Sequence, residues 1–169
     1  DYKFVINVFQ KGPYFKEALM GLQSIYIGIA QVDKYIAFVN ALPEYSISES
    51  EQDSLSYNAA FIKFSEQDYQ TSDDAFKKYI NHFSNGIFIE DAYYYLALSS
   101  SNLGDSLQTN ECFQYIVDNN LNLYFETELI YLSRSFYAKK DYSSSNIYYT
   151  ALDSMASNNS LKREAAIRL

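Results

Sequence analysis

The stretch Asp53–Phe88, DSLSYNAAFIKFSEQDYQTSDDAFKKYINHFSNGIF, reads as two amphipathic helices joined by a tight turn at Glu66-Gln67-Asp68-Tyr69. A second break follows at Ser84-Asn85-Gly86. Working outward, Lys3, Ile6, Asn7, Phe9 and Gly12 reappear as Lys77, Ile80, Asn81, Phe83 and Gly86, an offset of 74 residues (77 − 3). Lys16-Glu17-Ala18 falls on Glu90-Asp91-Ala92 at the same offset. Since 74 is twice 37, another unit is expected halfway between.

The turns supply it. Gln31-Val32, Asp68-Tyr69, Gly104-Asp105 and Asp141-Tyr142 mark one place in four successive units, which begin near Lys16, Asp53, Glu90 and Glu126, with spacings of 37, 37 and 36. A period in this range, made of helix, turn and helix, is the signature of a helical solenoid. The units expected are 16–52, 53–89, 90–125 and 126–161, with 1–12 as the second helix of a preceding unit and 162–169 as the start of a further one. The whole reads as one all-α segment cut from a longer protein.

These residues resemble the tetratricopeptide repeat family. Small residues stand at position 8 (Ala60, Ala97, Ser133) and position 20 (Ser72, Thr109, Ser145), and aromatics at position 24 (Phe76, Phe113, Tyr149). Antiparallel helices approach closely only where small side chains meet, and the aromatic fills the wedge before the next pair. The resemblance implies a right-handed superhelical array of antiparallel helix pairs. The first unit departs from the pattern, with Gln23 and Tyr35 at the small positions, so its pair should be splayed or shifted in register. A missing Pro near position 32 and two or three extra residues per unit leave the pitch open.

Between units, Pro43 stops the second helix of unit one, and 44–50 reads as a polar joint with Ser50 as N-cap of the next helix. Other breaks are expected at Lys11-Gly12-Pro13, at Asn119-Asn120 before a helix from Leu123, and at 157–160.

Composition bounds the function. Hydrophobic residues make up 48% of the 169, as in folded domains, and eighteen Tyr with twelve Phe suit an array in which every unit needs wedge aromatics. The net charge of −8 argues against nucleic acid, whose binding rests on Lys and Arg neutralising phosphates. No apolar run reaches the length of a membrane span. The single cysteine, Cys112, excludes an intrachain disulfide.

No catalytic, cofactor or metal constellation emerges. His82 is the only histidine, near a helix end where the ring meets the last carbonyls or water. Cys112 in a helix reads as a small buried hydrophobe, with no base or cationic cluster in its neighbourhood to make it a nucleophile. The acidic pairs Asp73-Asp74 and Glu90-Asp91 read as solvated helix starts that offset the dipole. Five isolated glycines form no phosphate loop.

The resemblance implies a ligand-facing concave surface at positions 2, 5, 9, 12 and 13 of the first helices. Carried over, position 5 is Met20, Tyr57, Tyr94 and Ile130, and position 9 is Ser24, Phe61, Leu98 and Arg134. Position 12 is Ile27, Phe64, Ser101 and Tyr137, and position 13 adds Asn102. The candidate protein-binding residues are Tyr57, Phe61, Tyr94, Leu98, Asn102, Ile130, Arg134 and Tyr137. Tyr and Arg are enriched at binding hot spots. A one-residue shift in register would instead place Phe61 and Phe64 in the core.

The expected function is a non-catalytic scaffold that binds a protein or peptide. The alternatives are a structural spacer or oligomerisation segment and, third, a carbohydrate-binding module of the starch-utilisation lipoprotein type. The Tyr-, Asn- and Ser-rich composition also resembles repeat proteins of Bacteroidetes-type bacteria, often found in the periplasm or cell envelope, with the cytoplasm the other location. Weak self-association is expected through Tyr2, Val5, Ile6 and Phe9 at one end and Ile167 and Leu169 at the other.

Overall fold

A computed structural model describes residues 1–9, 12–119 and 125–168, apart from the side chain of Phe125. The described residues form ten helices: α1 (Tyr2–Val8), α2 (Phe15–Gly28), α3 (Val32–Asn40), α4 (Glu49–Ser65), α5 (Tyr69–His82), α6 (Ile89–Asn102), α7 (Ser106–Asp118), α8 (Phe125–Ala138), α9 (Tyr142–Met155) and α10 (Asn159–Arg168). Of the expected breaks at Lys11-Gly12-Pro13 and Asn119-Asn120, Lys11 and Asn120 fall outside the described residues, as do the helix start at Leu123 and the end contact at Leu169.

Helices packed in sequence make two compact units, Asp1–Tyr95 and Leu96–Leu169, with the boundary inside α6. In the first, α1 packs on α2, α2 on α3 and α4, and α4 on α5. Its main core joins Ile6, Phe15, Ala18, Leu22, Val32, Tyr35, Val39, Leu42, Ile47, Leu55 and Ala59. In the second unit, α7 packs on α8, α8 on α9 and α9 on α10. Leu129, Tyr149, Leu152, Ala156 and Ala165 form a core there.

The turn inside each helix pair has one geometry four times over. Ala30, Gln67, Gly104 and Lys140 adopt left-handed backbone, with φ of 52°, 62°, 79° and 62°. The next amide reaches back five residues in each case: Gln31 to the Tyr26 carbonyl, Asp68 to Lys63, Asp105 to Ser100 and Asp141 to Phe136, at 2.9–3.0 Å. This is the Schellman closure of a helix C-terminus. In three turns the same aspartate then caps the following helix. Asp68, Asp105 and Asp141 accept from the amides of Thr71, Gln108 and Ser144 at 3.3, 3.0 and 3.1 Å. Local chemistry thus ends one helix and starts the next within two residues.

The small positions are where the paired helices meet. Ser72 Oγ donates to the Ala60 carbonyl (3.3 Å), Thr109 Oγ1 to Ala97 (3.4 Å) and Ser145 Oγ to Ser133 (2.9 Å). All six residues are buried. The wedge aromatics are buried too: Phe76 lies 6.1 Å from Tyr95, and Phe113 lies 4.8 Å from Tyr131. In the first pair Tyr35 is buried at the small position, 6.4 Å from Tyr26, and α2 leans on α4 as well as α3.

Five local expectations need correction. The N-cap of α4 is Ser48, which accepts from the Glu51 amide at 3.3 Å, so the helix starts before Ser50. Ser48-x-x-Glu51 has the capping-box spacing. The joint before it is anchored as well as polar, because Ile47 is buried and its amide donates to Asn40 Oδ1 at 3.0 Å. Asp73 is buried in the second turn of α5 and paired with Lys77 at 2.7 Å, so it is no solvated helix start. Finally, Ile6 is fully buried rather than awaiting a partner, while α10 begins at Asn159, inside the stretch read as a polar break.

Candidate functional site

The eight candidate residues fall into two groups, one per unit. In the first unit Tyr57 is interior: its ring stacks on Phe88 at 4.5 Å and meets Phe76 and Tyr79 at 5.9 Å. Burial first, then the nearby Asp91 carboxylate, pushes its hydroxyl pKa up. Phe61 is half-buried, with its ring 4.9 Å from Tyr95. Phe64 meets the same Tyr95 ring at 4.9 Å and Tyr69 at 5.7 Å. Phe61 and Phe64 therefore share one aromatic cluster with Tyr95 and the wedge residue Phe76. Tyr94 is half-buried, edge-on to Tyr95 at 5.4 Å.

In the second unit Leu98 and Ile130 are half-buried, and Ile130 packs against the core. Asn102 is exposed and donates through Nδ2 to the Leu98 carbonyl at 2.8 Å. Arg134 is exposed, yet its guanidinium already holds a carboxylate in a two-pronged grip. Nε and one terminal nitrogen donate to Glu164 at 2.9 and 2.6 Å. The Arg134 hydrogen bond holds the Glu164 carboxyl below the usual range. Tyr149 adds a third donor to Glu164 at 3.1 Å. Tyr137 sits beneath Arg168, whose guanidinium lies 4.4 Å from the ring centroid, and meets Tyr142 at 5.3 Å.

Arg134 and Tyr137, three residues apart on α8, thus face Glu164 and Arg168, four apart on α10. The first pair was legible as candidates; Glu164 and Arg168 were not, because only the packing of α10 brings them there. The structure adds a polar cluster that motif reading missed, at Asp53, Tyr79 and Gly86. Its one sequence signal is the acidic residue that opens each unit from Asp53 on.

For other chemistry, Cys112 is buried, 3.4 Å from Gln108 Nε2, and His82 is exposed with its ring 4.5 Å from Phe83. Among the described residues no three His, Cys, Asp or Glu side chains group as a metal site. No described helix is long and apolar enough to cross a membrane. Comparison with protein-family models, with curated proteins and with solved structures gave no match.

Proposed function

We propose that this chain is a segment of a tetratricopeptide-like superhelical scaffold that binds a protein or peptide through its first helices, without catalysis. The supporting observation is that one helix-pair geometry recurs three times while first-helix side chains stay partly uncovered. Tyr94 is half-buried, and Asn102, Arg134 and Tyr137 are exposed. Tyr and Arg there have the amphipathic character of interface anchors. Within the reading, Arg134 already displays its mode of recognition, since a carboxylate on a neighbouring helix is what it grips.

The test is affinity capture with the intact chain beside Tyr94→Ala, Tyr137→Ala and Glu164→Ala variants of unchanged helicity. A partner lost with the tyrosine variants and kept or tightened with Glu164→Ala, which frees Arg134, supports the reading. Equal capture by all variants, or by none, favours a spacer role in a longer array.

A further inference from the structure

A separate cleft of about 560 Å³ opens in the first unit, bounded by α3, α4 and α5. It exists because four of its lining residues, Ala30, Ala37, Ala59 and Ala75, project only a methyl group. Val32, Ile36 and Phe83 add apolar wall. Gln52, Ser56 and Asn81 add polar groups to the lining, and a cleft of this size that combines apolar wall with polar groups has the make-up of a small-molecule site.

The charges are not symmetric. Lys78 and His82 stand one helical turn apart on the α5 wall, and Asp33, in the first turn of α3, is the sole carboxylate in the lining. Lys77, one position earlier, is paired with Asp73 at 2.7 Å. Lys78 is exposed and has no carboxylate within ion-pair distance among the described residues. An exposed ammonium one helical turn from an imidazole, at the edge of an apolar wall, complements an anion with an alkyl or aryl tail. Asp33 repels a second anionic group.

We propose that the α3–α4–α5 cleft binds an amphipathic monocarboxylate, with its carboxylate at Lys78 and His82 and its apolar part against the alanine-lined wall. This site lies on the second-helix side and does not depend on the protein-binding reading.

Because His82 is the only histidine, its ring protons give a single proton NMR reporter inside the cleft. The intact chain would be titrated with decanoate, decan-1-ol and decylammonium. A saturable shift with decanoate, about tenfold weaker or absent with the other two, is expected for a charge-assisted contact. Lys78→Glu should weaken decanoate binding by about tenfold or more, and Ala75→Leu should abolish it by filling the cleft. Should Ala75→Leu lose helicity, Ala37→Leu, at an exposed position, makes the same test. Equal responses to all three probes, no saturable shift, or unchanged binding by Lys78→Glu would overturn the proposal.

Discussion

Asp53 in the second turn of α4 accepts a hydrogen bond from the hydroxyl of Tyr79 near the end of α5, 26 residues later, at 2.5 Å. Its other oxygen accepts from the Ile87 amide at 2.8 Å, and Tyr79 Oη accepts from the Phe88 amide at 3.1 Å. Two buried side chains thus tie the first helix of a pair, the second helix and the loop to α6. The last acidic unit-opener acts similarly, for Glu126 Oε1 accepts from the Ser157 amide 31 residues on. Asp53→Ala should cost about 3 kcal/mol and Tyr79→Phe about 1.5 kcal/mol, because each leaves buried partners unsatisfied. The double variant should cost less than the sum. Urea unfolding of the four proteins measures this, and strict additivity would show that the two groups act independently.

Gly86 is part of the same joint. A Cβ there would lie 2.5 Å from Tyr79 Oη, 2.9 Å from Phe83 Cβ and 3.0 Å from Asp53 Oδ2. Gly86→Ala should therefore destabilise by roughly 1–3 kcal/mol as an overpacked site. In a Tyr79→Phe background the closest clash is gone, and the penalty should fall.

The left-handed turn residues point the other way. Gln67 and Lys140 hold φ of 62°, where a Cβ costs roughly 1–2 kcal/mol. Glycine there should stabilise by about 0.5–1 kcal/mol after its own entropic cost. Gly104, at φ 79°, should show the opposite sign when replaced by alanine. Thermal unfolding of Gln67→Gly, Lys140→Gly and Gly104→Ala checks all three.

Acid should unfold the chain through depressed carboxylates. The Asp68 carboxyl is held low by hydrogen bonds from Thr71, Asp141 by Ser144, Glu126 by Ser157 and Glu164 by Arg134. A folded-state pKa below the unfolded value gives stability that is present above about pH 4 and lost as pH falls through the lower folded value. Urea midpoints should stay level from pH 7 to about pH 5 and then drop. Asp68→Asn with Asp141→Asn keeps cap acceptors and should flatten that drop.

How much of this could be read from sequence differs between the fold and the candidate surface. The helix pairs were legible because their signals are local: a capping aspartate after a left-handed residue, small residues twelve apart, an aromatic four further on. Burial of the candidate residues was not legible to the same degree. Tyr57 and Tyr94 share a repeat position, yet Tyr57 is enclosed by Phe76, Tyr79 and Phe88 while Tyr94 is only half-covered. The rings that enclose Tyr57 come from α5 and from the loop after it, 19 to 31 residues further along the chain (76 − 57, 88 − 57). Likewise nothing near Arg134 announces Glu164, 30 residues away.

The hydroxyl-to-carbonyl contacts at Ser72, Thr109 and Ser145 reach back twelve residues every time. The carbonyls they meet, on Ala60, Ala97 and Ser133, are spaced 37 and then 36 residues apart (97 − 60, 133 − 97). One residue added inside a pair would turn the second helix by about 100° and carry the hydroxyl off its acceptor. The same residue added after the pair disturbs no such contact. The inner span of each pair therefore works as a fixed ruler, and drift in chain length is confined to the connections that follow the second helices.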